Sequence, residues 1–87
     1  MPRLTIPEAL ARMTDGSDRT YTVRGETVFE CLKNLCVDNP QFSSHLFYEN
    51  GHVKGHFILV VGEEAVRPDV PVREDGEVEV LLATSGG

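Results

Sequence analysis

The chain has 87 residues, of which 40% are hydrophobic and 25% charged, and a formal net charge of −6. A chain of this length forms one small domain with little room for a deep internal pocket, which argues against a self-contained enzyme. The lysines and arginines never cluster, which argues against nucleic acid as a partner because that binding depends on grouped cations that displace counterions. A basic patch on a protein partner suits this charge better.

The sequence predicts neither a membrane span nor a secretory signal. The longest apolar run, residues 57–61, is far too short to cross a bilayer, and the N-terminus lacks the apolar segment of a signal peptide. We therefore expect a cytoplasmic protein. Cys31 and Cys36 lie about 140° apart around the axis of a predicted helix, so they cannot bridge each other without unfolding it. We expect reduced thiols, and core packing is favoured over a reactive site.

The first part of the chain predicts a β-hairpin. Alternating apolar and polar residues indicate strands around residues 3–6 and 20–24, each with one buried face. Turn-forming residues at 14–18 favour antiparallel pairing of the two strands. Residues 8–13 contain good helix formers but are too few to decide between a short helix and an irregular connection.

The clearest helix begins after Gly25. Thr27 as the N-cap and Glu30 three residues later form a capping box, in which each side chain accepts a backbone N–H at the helix start. A helical stripe of apolar side chains predicts a buried face, and Pro40 predicts that the helix ends near Asn39. The stripe comprises Val28, Cys31, Leu32, Leu35 and Cys36.

The second half of the chain predicts three further strands. Residues 57–61 are apolar at every position, as expected of a strand covered on both faces or flanked by neighbours at the sheet centre. Residues 65–66 favour a short edge strand. In the last strand, residues 77–82, even-numbered side chains point to one face and odd-numbered side chains to the other. The segment before these strands is anchored to the core by Phe42, Leu46 and Phe47.

The order of these elements predicts an α+β fold with β-grasp (ubiquitin-like) architecture. A mixed sheet of about four to five strands is covered on one face by one main helix. We expect the last strand to lie at the centre of the sheet, which would make its end rigid. We expect the helix stripe to pack against the apolar side chains Leu4, Ile6, Val23, Ile58, Val60, Val78 and Val80.

The chain ends on two glycines and a bare carboxylate, which is the candidate site. We expect residues 1–82 to form the domain and residues 83–87 a flexible tail, because the tail carries no large apolar side chain. Fully extended, it reaches about 16 to 18 Å, enough to enter a partner's pocket. Glycine has no Cβ and passes through slots too narrow for other residues. Ordinary fraying or a linker remnant is the alternative explanation of such an end.

The closing pattern comprises the loop Asp75-Gly76-Glu77, an apolar strand and the terminal Gly86-Gly87. It resembles the MoaD/ThiS family of ubiquitin-like sulfur carriers, whose members end on a loop with Asp-Gly-Asp/Glu, an apolar strand and Gly-Gly. The order of the predicted elements resembles the family over nearly the whole chain, and the residue pattern resembles it over residues 72–87. The region before residues 57–61 is also similar to the actinobacterial cysteine-biosynthesis carriers.

The resemblance implies that a ubiquitin-activating-type enzyme uses ATP to adenylate the Gly87 carboxylate. A sulfur source then replaces AMP, and the resulting thiocarboxylate donates sulfur to a biosynthetic acceptor enzyme. Thr84, Ser85 and Gly86 would thread the tail into the partner. The chain itself would have no catalytic residues and no permanently bound cofactor, and would act as a protein-borne sulfur donor.

Two alternatives remain open at this point. The chain could be the small subunit of molybdopterin synthase, whose tail inserts into a larger catalytic subunit, or a non-catalytic ubiquitin-like binding module whose terminus is incidental. Thr84 and Ser85 are more polar than the small apolar pair of many family members. The tail lacks the arginines that precede the glycines of ubiquitin, which disfavours protein conjugation as the main role.

Leu81 is predicted on the sheet face opposite the helix, next to the tail. With Phe57 or Leu59 it forms a candidate partner-docking surface, although an isolated exposed leucine is equally compatible with the sequence. Coverage of that face by residues 42–47 is the other possibility. His45, His52 and His56 do not predict a metal site, because no third ligand of suitable spacing is evident.

Overall fold

The computed structural model describes residues 1–14 and 18–83. In chain order, the elements within them are β1 (Arg3–Thr5), α1 (Glu8–Met13), β2 (Thr20–Thr22), α2 (Val28–Asp38), a 3₁₀ turn (Pro40–Phe42), α3 (Ser43–Leu46), β3 (Phe57–Val61), β4 (Glu64–Val66) and β5 (Glu77–Leu82). The five strands form one mixed sheet in the order β2-β1-β5-β3-β4. β1 and β5 run parallel and all other neighbours run antiparallel, which is the predicted β-grasp arrangement.

The N-terminal hairpin forms as predicted, with Arg3 opposite Thr22 and Thr5 opposite Thr20. The connection between its strands contains the six-residue helix α1, so the helical alternative for residues 8–13 is the correct one. Its inner side chains are buried, and burial in tertiary packing lets so short a helix form. The predicted turn at 14–18 falls largely on residues 15–17, which lie outside the described residues.

α2 begins at the predicted capping box. Thr27 Oγ1 accepts the Glu30 N–H at 3.1 Å, and the Glu30 carboxylate accepts the N–H of Glu26, one residue earlier than a standard box, at 3.1 Å. Two further N–H groups of the first turn donate to backbone carbonyl oxygens of the loop before β5. The nitrogen-to-oxygen distance is 3.0 Å for the Val28 N–H and 2.8 Å for the Phe29 N–H. The helix ends at Asp38, close to the predicted end.

The core lies between α2 and one face of the sheet, the inner face. Val28, Cys31, Leu32 and Leu35 of the predicted stripe are fully buried, whereas Cys36 is partly exposed. From the rest of the chain, the core cluster contains Leu4, Ile6, Leu10, Ala11, Val23, Phe42, Leu46, Leu59, Val78 and Val80.

One prediction about the core was wrong. Ile58 is 39% exposed and Val60 only partly buried, whereas Leu59, 4% exposed, belongs to the core. β3 is flanked by two strands, as predicted, but only its inner face is covered. The register with β5 decides which face that is, because Leu59 lies opposite Val80 and side chains alternate along a strand.

We predict that Gly25→Ala destabilises the fold. Gly25 has φ +156°, and a Cβ there would lie 2.6 Å from the backbone nitrogen and 2.7 Å from Sγ of Cys31. The free energy of unfolding, measured by urea denaturation, should fall by about 1–3 kcal/mol or more. Gly55→Ala is the matched control, because no atom lies within 4 Å of its added Cβ. It should change stability by no more than about 1 kcal/mol. Equal effects of the two substitutions would contradict the packing of Gly25 against α2.

Candidate functional site

β5 carries the chain to the candidate site and lies between two strands. Its residues 77–79 pair in parallel with β1, and its residues 78–82 pair antiparallel with β3. The pairing continues one residue beyond the strand, because the Ala83 N–H donates to the His56 carbonyl at 2.7 Å. The predicted adenylation residue Gly87 and the predicted threading residues Thr84, Ser85 and Gly86 lie outside the described residues, so the boundary between domain and tail stays a prediction.

An apolar patch lies beside this point on the outer face of the sheet, opposite the core. Leu81, 37% exposed, is the direct cross-strand partner of Ile58, 39% exposed. Val60 and Ala65 form the next pair on the same face. Side chains that face each other across antiparallel strands are in contact range. The four residues therefore form one continuous surface, here called the outer patch.

The outer patch corrects the predicted docking surface. Leu81 lies where the sequence predicts, but Leu59 is buried in the core and Phe57 is partly buried on the inner face, opposite Leu82. Ile58 takes their place. Sequence reasoning missed it because the only signal is its register with Leu81, which is a long-range property of the sheet.

The segment 42–47 does not cover the outer patch. The ring of Phe42 packs edge-on against Tyr21, with centroids 5.7 Å apart, and Tyr21 shares the inner face with its cross-strand partner Leu4. Phe42 and Leu46 are fully buried in the core cluster. The alternative that this segment shields the outer face is therefore wrong, and the patch is open to a partner.

Carboxylates border the outer patch along β5. Glu77 pairs with Arg3 at 2.8 Å, an exposed contact between two surface side chains. Glu79 lies between Thr5 of β1 and Val60 of β3, and the ion pairs found in residues 1–14 and 18–83 do not include it. An apolar surface with an unpaired carboxylate at its edge favours a partner with an apolar centre and a basic rim.

Other chemistry-bearing side chains do not assemble into a site. Within the described ranges, no three histidine, cysteine, aspartate or glutamate side chains are grouped so as to hold a metal ion. The His56 ring lies against Phe57, with centroids 4.4 Å apart. No helix in this part of the chain has the length and apolar character to cross a membrane.

Both cysteines are free thiols, and neither is poised as a nucleophile. Cys31 is fully buried in the core, and burial, with the nearby Glu30 carboxylate, raises its pKa. Cys36 is partly buried, and burial raises its pKa to about 11. The thiolate is the reactive form of cysteine, so the raised pKa values make both thiols slow to react at neutral pH. The preference for core packing is confirmed for Cys31.

Comparison with protein-family models and with curated proteins finds no match. Solved structures do match. A chain of the Amycolatopsis orientalis BexX/CysO complex superposes with a TM-score of 0.83 at 22% identity, covering 100% of both chains. Mycobacterium tuberculosis CysO superposes with a TM-score of 0.81 at 20% identity, covering 97% of this chain and all of that one. SAMP1 from Haloferax volcanii superposes with a TM-score of 0.80 at 22% identity, covering 99% of this chain and 98% of that one.

The chain has the ubiquitin-like β-grasp fold. These similarities extend over nearly its whole length and confirm the predicted architecture.

We predict that Cys36 reacts slowly with iodoacetamide below pH 9. At pH 8, a thiol with a pKa of about 11 is on the order of 0.1% ionised, against about a quarter for a free cysteine. The rate of Cys36 alkylation at pH 8, followed by mass spectrometry, should therefore be on the order of 100-fold lower than that of a free cysteine. This rate should keep rising with pH up to about pH 11. Cys36→Ser should remove this reaction, because Cys31 is fully buried. A rate that levels off near pH 8 to 9 would contradict the burial of Cys36.

Proposed function

We propose that the chain is a sulfur-carrier protein whose C-terminal carboxylate, on Gly87, is adenylated by a ubiquitin-activating-type enzyme and then converted to a thiocarboxylate. The thiocarboxylate donates sulfur to a biosynthetic acceptor enzyme in the cytoplasm. ATP is consumed by the activating partner, and the chain is the substrate rather than the catalyst. The observation that carries this proposal is that the end of β5 is held by β3, through Leu82 and the Ala83 N–H, beside an exposed apolar patch.

In the proposed reaction, the chain supplies the carboxylate that reacts, and the partner enzyme supplies the catalysis. Attack of the Gly87 carboxylate on the α-phosphorus of ATP would release pyrophosphate and leave an acyl-adenylate, and sulfide would then displace AMP. Both steps need the carbonyl to reach a partner's active site in a defined position. Pairing of Ala83 with His56 supports this, because it gives the segment that follows a fixed starting point. The glycines would offer an unhindered carbonyl in a narrow channel.

The outer patch is proposed as the docking surface for the activating enzyme. Ile58 and Leu81 would pack against an apolar centre on the partner, and Glu79 would meet a basic side chain. Burial of exposed apolar side chains stabilises a complex, and complementary charge speeds encounter. A solved structure of the same fold in a BexX/CysO complex supports the idea that a protein partner binds this type of domain.

Protein modification is the second candidate function. Three of the similar structures are of small archaeal modifier proteins. In that role the same adenylation would precede transfer of the Gly87 carbonyl to an amine of a target protein instead of to sulfur. This function is less favoured than sulfur transfer, because the tail has no arginine before Gly86.

The first test concerns Gly87. We expect incubation with the ubiquitin-activating-type enzyme of the host organism, ATP and sulfide to give the mass change of one oxygen replaced by sulfur. Deleting Gly87, or adding an alanine after it, should abolish this product because the carbonyl is displaced or hindered in the partner's channel. Gly55→Ala, a substitution in open space, should leave it unchanged. No product from the wild type, or full product from both tail variants, would refute the proposal.

The second test concerns the outer patch. Ile58→Ser and Leu81→Ser should each raise the KM for the carrier in an ATP–pyrophosphate exchange assay, by about ten-fold if each contact contributes about 1.4 kcal/mol. kcat should change little, since neither side chain reaches the reacting atoms. Met13→Ser is the matched control, because Met13 is 63% exposed but lies on α1, outside the patch. An equal rise in KM for the control would contradict docking at this surface.

A further inference from the structure

A second apolar surface lies on the helix side of the molecule, away from the outer patch. It is a groove of about 410 Å³ between α2 and the segment that follows α3. Phe29 and Phe47 form one wall, edge-on to each other with centroids 5.8 Å apart, and Cys36 contributes to the lining. This surface plays no part in the function proposed above.

The rim of the groove carries large exposed side chains in fixed positions. Val37 is 68% exposed and Tyr48 is 51% exposed. The Tyr48 N–H donates to the His52 carbonyl at 2.9 Å, and the Tyr48 carbonyl accepts the Gly51 N–H at 2.9 Å. The backbone on both sides of Tyr48 is thereby held in a tight turn. Binding to a preformed surface costs little ordering entropy, which favours association here.

Together, the groove and an adjoining groove carry more positive than negative charge, unlike the chain as a whole, whose net charge is −6. The sequence contains two lysines, one in the lining of each groove. Lys33 lines the groove, and Lys54 places Nζ 5.7 Å from the centroid of the Tyr48 ring, beside an adjoining groove. The ion pairs found among the described residues include neither lysine. Glu49 is the single carboxylate in the lining of the two grooves.

We propose that this groove binds an acidic segment of a partner protein that carries aromatic or aliphatic anchors. The anchors would fill the space beside Phe29 and Phe47, and the carboxylates would meet Lys33 and Lys54. Two cations are too few for a nucleic-acid backbone, and the surrounding negative charge repels one. Apolar anchors combined with complementary charge are the usual features of peptide recognition in a groove.

The geometry gives the carrier two independent contact surfaces. The outer patch lies on the sheet face opposite the core, whereas the groove lies along α2, on the core side of the sheet. A protein seated in the groove would leave the outer patch and the chain end free. This proposal does not depend on the tail chemistry, so its test can fail or succeed separately from the thiocarboxylate assay.

A displayed library of random short peptides provides the test. The library is selected on the wild-type protein and counter-selected on a Lys33→Glu, Val37→Ser double variant. Both side chains are exposed, so the variant should fold, which circular dichroism verifies. We expect enriched peptides to combine aspartate or glutamate with aromatic or large aliphatic residues. Failure to enrich any peptide, or enrichment of peptides without acidic residues, would overturn the proposal.

Synthetic versions of the enriched peptides then localise the site. Lys33→Glu should weaken binding by at least about ten-fold, measured by fluorescence anisotropy. Leu81→Ser on the outer patch is the matched control and should have no effect. Bound peptide should also slow alkylation of Cys36, which lines the groove, without a background from the fully buried Cys31. Equal binding to Lys33→Glu, or self-association of the protein that Val37→Ser abolishes, would overturn the proposal, the latter in favour of a second copy of this chain.

Discussion

The pairing of β5 on both sides is the constraint on which the rest of the structure depends. Parallel pairing of residues 77–79 with β1 and antiparallel pairing of residues 78–82 with β3 place the last strand at the centre of the sheet. The register with β3 then sets which side chains face the core and which face outward. It also brings Ala83, the last described residue, against His56.

The same register divides the molecule into two surfaces of different character. On the outer face, Ile58 and Leu81 form the centre of an apolar patch bordered by carboxylates. Along α2, an apolar groove carries one of the chain's two lysines, and an adjoining groove carries the other. A domain of this size has little room for a deep internal pocket, which fits the proposal that it acts through recognition on its surface. The different local charges of the two surfaces fit the proposal that they bind different partners.

Local features of the sequence predicted local structure well. The capping box at Thr27 and the helical stripe of α2 depend on residues a few positions apart, and both are found as expected. The face of β3 could not be predicted, because an uninterrupted apolar run has no alternation from which to choose a side. The sequence therefore predicts Leu59 on the docking surface and Ile58 in the core, whereas the pairing with β5 places Leu59 in the core and Ile58 on the outer face. The chemistry of Gly87 rests on the pattern of the sequence and remains a proposal.

Amide hydrogen exchange along β5 and into Ala83, followed by NMR, tests the central claim most directly. Exchange reports how often each N–H opens to water, and central strands open least often. The account predicts that the Ala83 amide is protected to a degree comparable with the amides of β5, because its N–H is bonded to the His56 carbonyl. Exchange of Ala83 at the rate of an unprotected peptide, with β5 protected, would show that the chain leaves the domain before the fixed point on which the proposed delivery of Gly87 depends.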